Sequence, residues 1–328
     1  MNCQTENSLF FLLHHASINS ETHTIYLRTR RFPMKFQKRD TSCFLESYQG
    51  NDSNITIPAY NEALPVTKIG AKAFLSCKSV VHLTLPETIE EIGDWAFAHM
   101  KNLKTLTLPA HPITYGKNVF LGCINLSEIH ILQDNSKNSG LPYFLASSVT
   151  MLKKTSLCSP ERAGNSQHHM NWMEDYDKTL IQFLSEPDNM GFEPVFIGWF
   201  SVEDLDSQTQ RFTGKRQQEK TFLAFQRLLY PDFLADSTRK ILYDYLADHM
   251  PEGTRAQEHT IPFSMLCNEF RDDIRYLKIV ADTGYITART LPLLQKELQN
   301  AAPEIIAFLL RYQQNFTNSM DFFSGLSL

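Results

Sequence analysis

Three stretches of this chain repeat one another at a spacing of 23 residues, and that period dictates the kind of core the chain can build. Gly70, Gly93 and Gly116 share one phase, and Phe74, Phe97 and Phe120 share another. Ala73, Ala96 and Val119 fall in register, as do Val80, Leu103 and Leu126. So do Leu83, Leu106 and Ile129, and then Leu85, Leu108 and Ile131. With 13 glycines among 328 residues, three in one chosen phase by accident has a probability of roughly one in ten thousand. Around each ladder, Val81 to Leu85 and Lys104 to Leu108 alternate apolar with polar side chains, the period of a strand with one buried face. Each repeat is therefore predicted to contribute one short strand. Pro86 and Pro109 end these strands because proline has no N–H for the ladder. The glycine seven residues later suits a bend where a Cβ would clash. The following Ala-Phe pair then points inward, so each phenylalanine can stack on its counterpart in the next coil. A lone 23-residue coil cannot bury this face, so the coils must pile up in parallel, about 4.8 Å apart.

The motif Leu-x-Leu-Pro, then Ile-Gly-x-x-Ala-Phe, then Cys77, Met100 or Cys123, resembles the BspA-like bacterial leucine-rich repeat. The resemblance covers about residues 40–133. Tyr48 to Pro58 and Pro65 to Gly70 look like its irregular opening coil, with five extra residues between Pro58 and Pro86. It implies a solenoid that binds a partner, commonly a protein or surface component, without chemistry of its own. Many such relatives are secreted surface proteins. The longest early apolar run here is Leu9 to Leu13, too short for an export signal or a membrane span, so the expected location is cytoplasmic. Surface exposure would follow from the family resemblance alone. Six cysteines without a CxxC pair suit a reducing compartment. Cys77 and Cys123, two coils apart, lie too far from each other for a disulfide.

The second half reads differently. Residues 1–133 carry 12 basic and 11 acidic side chains, and 134–328 carry 19 and 25, so the net charge moves from +1 to −6. After Trp172 the apolar spacing becomes helical, as in Tyr176, Leu180, Phe183 and Leu184, then Phe222, Phe225 and Leu229, then Ile241, Leu242, Tyr245 and Leu246. Pro251, Gly284 and Pro303 punctuate later helices carrying Phe270, Ile274, Leu277 and Ala281, then Leu291, Leu294 and Leu298, then Ile305, Ile306, Leu309 and Leu310. The expected fold is α+β: a short leucine-rich-repeat solenoid followed by an α-helical domain. The stretch from Asp273 to Gly284 is faintly similar to an ankyrin repeat. The organisation reads as a cap or arm over 1–40, a solenoid with its end cap over 41–152, a linker over 153–171, a helical domain over 172–316 and a tail over 317–328.

The function expected is a non-catalytic interaction module whose partner is a protein. The outward strand positions His82, Thr84, Thr105, Thr107, Glu128 and His130 should form two columns on one sheet face, the candidate binding surface. Three coils give a patch smaller than the roughly 800 Å² per partner of a stable interface, so the helical half must help. An alternative uses Arg28, Arg30, Arg31, Lys35, Lys38 and Arg39, six positive charges in twelve residues, to hold nucleic acid or another anionic surface. The weaker alternative is a metal-dependent enzyme at His168 and His169, with Glu174, Asp175 and Asp177 nearby. The run Pro194 to Phe200 could line an apolar pocket, although buried core is its ordinary role. No nucleophile elbow, phosphate loop or dinucleotide motif occurs, so neither an enzyme nor a cofactor is expected.

Overall fold

The computed structural model describes residues 33–132, 140–164, 168–193, 202–250 and 260–324. The two sides of each coil that carry strands form two sheets in which strands of successive coils pair in parallel. One contains β3 (Asn54–Thr56), β6 (His82–Thr84), β8 (Thr105–Leu108) and β10 (Glu128–Ile131), in spatial order β10-β8-β6-β3. The other runs β1 (Met34–Lys38), β2 (Cys43–Tyr48), β5 (Leu64–Ile69), β7 (Glu91–Ile92) and β9 (Thr114–Tyr115). Each regular coil thus adds to the expected strand a second one of two residues, too short for any alternation to announce it. The five additional residues of the opening coil make a small hairpin. There β4 (Tyr60–Asn61) pairs antiparallel with the start of β5 through Glu62 and Ala63, at φ 48° and 68°. That is the pair of left-handed residues a tight hairpin turn requires.

Stacking supplies the core. Phe74, Phe97 and Phe120 succeed one another at centroid distances of 5.9 Å, and Tyr48 extends the column at 5.3 Å from Phe74. The leucine and isoleucine ladders are buried on the opposite wall of the same interior. The glycine phase exists because the coils come close. A Cβ on Gly93 would stand 2.7 Å from the Ala71 nitrogen, and one on Gly70 would stand 2.8 Å from the Leu45 oxygen. Side chains add a repeated inter-coil bond: the amides of Asn102 and Asn125 donate to the Lys78 and Lys101 carbonyls at 2.8 and 2.7 Å.

Both ends of the stack are covered. β1 pairs antiparallel with β2 and presents Lys35 and Lys38 on the edge, which discourages further strand addition. At the other end, α1 (Leu141–Thr150) packs on β10 and buries Phe144, Leu145, Ala146 and Val149. Beyond it, the expected linker holds a 3₁₀ turn (Thr155–Leu157) and α2 (Pro160–Ala163), with Leu157, Cys158 and Ala163 buried.

The helical part continues with α3 (His169–Ser185), α4 (Val202–Leu229), α5 (Asp236–Asp248), α6 (Ile261–Asn268), α7 (Ile274–Asp282), α8 (Leu291–Glu297) and α9 (Pro303–Ser324). Proline stands in the first turn of α1, α2, α6, α8 and α9, where its missing N–H would be unpaired anyway. Asp273 caps α7 by accepting the Arg275 N–H at 3.0 Å, and Gly284 follows that helix at φ 79°. The end of α4 is central, with Leu223, Ala224, Phe225, Gln226, Arg227 and Leu228 all buried. One continuous apolar core runs from Cys43 in the solenoid to Leu309 in α9.

Candidate interaction surface

The four strands of the β3–β6–β8–β10 sheet are in parallel register, so outward side chains stand directly above one another. Asn54, His82, Thr105 and Glu128 make one column, and Thr56, Thr84, Thr107 and His130 make the other. The six residues expected from the sequence are therefore brought together as two columns. The opening coil adds a rung, Asn54 and Thr56, legible as the Ile-Thr-Ile-Pro of residues 55–58 but displaced from the 23-residue phase by its hairpin. Within the columns, His82 Nδ1 lies 2.6 Å from Thr105 Oγ1, and His130 Nε2 lies 2.7 Å from Glu128 Oε2. Inward neighbours Ile55, Leu83, Leu106 and Ile129 are buried, which fixes which residues face out.

Next to the last strand, on and around α1, lies a group of tyrosines. Tyr143 of α1 stacks on Tyr230, just past α4, at 5.6 Å. Burial, and next the charge of Glu128, push the Tyr143 phenol up from its ordinary value. Arg275 also acts on Tyr143, and it is held by a two-pronged pair with Asp273, the shortest contact being 2.6 Å. Beside it Tyr276 stacks on Phe270 at 3.8 Å. Tyr143, Tyr230 and Tyr276 are half-buried and Arg275 is exposed. Nothing local in the sequence joins these residues to the columns, because Tyr143 reaches Tyr230 only across the fold and α4 comes to α7 only by packing.

The other candidates are placed as follows. Lys35 pairs with Glu46 at 2.8 Å, Lys38 pairs with Glu62, and Arg39 sits 5.2 Å from the Phe44 ring centroid. Arg28, Arg30 and Arg31, like Pro194 to Phe200, lie outside the described residues. His168 precedes the first turn of α3. His169 Nδ1 is within hydrogen-bond reach of the Ala163 carbonyl, and its ring packs against Trp172 and Phe233. Asp175 is engaged by Arg162 at 2.8 Å and Asp177 by Arg227 at 2.6 Å. Among the described residues, no three His, Cys, Asp or Glu side chains converge in a way that could hold a metal ion. Cys43, Cys77, Cys123, Cys158 and Cys267 are free thiols. Burial pushes Cys123 up to about 11 and Cys158 up to about 12, so neither supplies a thiolate nucleophile near neutral pH.

Coils stacked into two sheets of parallel-paired strands, an inner phenylalanine column and an Asn ladder define a leucine-rich-repeat solenoid, a class used generally for protein interaction. Residues 37–159 match the BspA type leucine rich repeat region in six copies, and this stretch is such a region. A similar solved structure is the leucine rich repeat protein of T. pallidum, 22% identical, covering 31% of this chain and 48% of that one, with a TM-score of 0.25. Another is a leucine rich cell surface protein of Faecalibacterium prausnitzii A2-165, 29% identical over 35% of this chain and 33% of that one, with a TM-score of 0.27. A leucine-rich repeat protein of Bacteroides capillosus is 22% identical over 30% of this chain and 94% of that one, at a TM-score of 0.24. The chain thus spans about half and a third of the length of the first two. No curated protein matches it.

Proposed function

We propose that the protein is a non-catalytic module that docks a protein partner across the outward face of the β3–β6–β8–β10 sheet, with the helical region completing the contact. The observation that carries this reading is continuity. Helix α1 packs on β10 and carries Tyr143, on which the charge of Glu128 acts; Tyr143 stacks on Tyr230, which in turn acts on Arg275 and Tyr276. The sheet columns offer small hydroxyls, imidazoles and a carboxylate that fix register, but the area of four short strands falls below the size of a stable interface. Half-buried tyrosines and an arginine are the residue types that dominate binding energy in protein interfaces. Placing them at the end of the columns supplies what the strands lack. Free thiols in every described cysteine agree with a reducing, cytoplasmic setting for the encounter.

The test is crosslinking in the native cell followed by recovery of the full chain. Thr84→Glu/Thr107→Glu, which puts two carboxylates into the centre of the columns, should abolish recovery of the partner seen with wild type. Tyr143→Ala should weaken it about tenfold or more, the loss of one hot-spot side chain. Thr114→Glu on the other sheet should leave it unchanged. Equal recovery with the double variant, shown folded by circular dichroism, would refute the sheet face.

A further inference from the structure

Each coil has a third side, between the short strand of one sheet and the next strand of the other, formed by residues 70–81, 93–104 and 116–127. These segments are hydrogen-bonded in register. Lys72 N–H donates to the Asp94 carbonyl at 2.9 Å, Ser76 N–H to Ala98 at 2.8 Å, Trp95 N–H to Lys117 at 2.9 Å and His99 N–H to Leu121 at 2.7 Å. The side is consequently a flat, three-row surface, and its charge is one-signed. Lys72, Lys78, Lys101, Lys104 and Lys117 are exposed on it, and none forms an ion pair among the described residues. Asp94 is its one acid, and Asp94 Oδ1 already accepts the Lys117 N–H at 2.7 Å. Across the coil, the stretch 86–91 carries Glu87, Glu90 and Glu91, the last paired with Lys68 at 2.6 Å, while the equivalent stretch 109–114 carries no acid. Between the lysines stand aliphatic side chains that the core does not use: Leu75 is 40% exposed, Leu121 44% and Ile124 65%. Trp95 is half-buried in the middle row, at a left-handed backbone position with φ 59°.

We propose that this side docks on a bilayer of anionic phospholipid. Lysines with exposed aliphatics and an amphipathic tryptophan are the combination that binds at a headgroup and acyl-chain boundary. The aliphatics gain from leaving water while the ammonium groups meet lipid phosphates. A flat surface fits a bilayer and offers no groove to a peptide. The side lacks arginine and fully exposed aromatic rings, the groups that stack on or grip nucleic-acid bases. The unpaired lysines make this side a local basic patch on a chain whose net charge is −5. The proposal stands independently of the sheet-face reading, since the two surfaces share no residue.

The experiment sediments the full-length protein with phosphatidylcholine vesicles, with and without phosphatidylglycerol. Wild type should bind only the anionic vesicles and be released by added salt, which screens exposed charges. Lys101→Gln/Lys117→Gln should lower partitioning about 25-fold, at roughly fivefold per lysine. The same charge change at Lys178→Gln/Lys240→Gln, on exposed faces of α3 and α5, should reproduce little of that loss. Leu121→Ser/Ile124→Ser should weaken binding with the charge unaltered. In a Trp199→Phe background, brominated lipid should quench tryptophan emission with Trp95 present and not in Trp95→Phe, whose remaining, buried Trp172 reports that the fold is kept. Three results would overturn the proposal: equal binding to both vesicle types or to neither, binding that survives removal of Lys101 and Lys117, and binding insensitive both to the aliphatic pair and to quenching at Trp95. The last would assign the side to a soluble polyanion such as nucleic acid or an acidic protein.

Discussion

Two glycines separate two different reasons for glycine. Gly93 has an ordinary φ, yet a Cβ there would press on the Ala71 nitrogen at 2.7 Å and the Gly70 carbonyl carbon at 3.0 Å. These are backbone atoms of the neighbouring coil, so they yield only if the coils separate. Gly284 has φ 79° and nothing within 4 Å of a built Cβ. Its cost is conformational alone. Gly93→Ala should therefore destabilise by about 1–3 kcal/mol through overpacking, and Gly93→Asn by no less. Gly284→Ala should cost about 1 kcal/mol, and Gly284→Asn should recover part of it because asparagine tolerates the left-handed region. Urea unfolding of the four variants checks the contrast; equal behaviour of Asn at both sites would contradict it. The sequence marked Gly93 as a repeat phase but did not distinguish a close approach from a turn, because both leave the same letter. Left-handed residues outside glycine, such as Lys72, Trp95 and Asn118, were likewise invisible, since they share the 23-residue spacing but no residue type.

Among the elements, the strands and their inward ladders were legible because a buried parallel stack repeats its packing, and therefore its residue types, once per coil. The Phe74–Phe97–Phe120 column follows directly. Tyr48, its fourth ring, was not legible: it precedes Phe74 by 26 residues, and the β4–β5 hairpin breaks the period there. Helices were legible from their apolar stripes, but the way neighbouring helices are tied together was not, because it rests on charges far apart in sequence. After α3, Asp188 meets Lys220 of α4 at 2.7 Å and Gln217 at 2.7 Å, and Glu186 meets Arg216. Burial raises the Asp188 carboxyl, but the hydrogen bonds and charge of Lys220 and the amide of Gln217 outweigh it, so its pKa in the folded protein lies below the usual value. The unfolded chain therefore binds the proton more readily than the folded one. The stabilisation is complete above the unfolded value of about 3.9 and disappears as pH falls through the lower folded value. Asp188→Asn should cost about 1.5–3 kcal/mol at pH 7 and nothing in strong acid. Urea midpoints for wild type and variant should converge below pH 3.9 or so; a gap that stays constant down to low pH would show that the carboxylate charge is not what holds this turn.

At the scale of the molecule, the solenoid and helices share one core because α1 serves both. One face of α1 closes β10, and Phe144 on it meets Tyr176 of α3 at 5.0 Å and lies under the Arg227 guanidinium at 5.5 Å. Arg227, fully buried in α4, donates from Nε to Asp177 Oδ1 at 2.6 Å and from Nη2 to Asp177 Oδ2 at 3.1 Å. It also donates to the carbonyls of Tyr230 and Asp232, so its donors are consumed by α3, by the turn after α4 and by the ring of α1. The tyrosines that extend the sheet columns depend on this arrangement, since Tyr230 is one of the groups Arg227 holds. Removing one partner strands the other charge in a dry interior. Arg227→Met should therefore cost about 3–5 kcal/mol, while Arg227→Met/Asp177→Leu, which removes both charges at similar volume, should restore most of that loss. The same continuity predicts how the loss is distributed. Because the core runs unbroken from Cys43 to Leu309, far-ultraviolet dichroism, which reads the helices, and thiol exposure at Cys123, which reads the solenoid, should move together in Arg227→Met. A variant whose helices melt while Cys123 stays protected from thiol reagents would show that the two parts unfold separately and that α1 does not couple them.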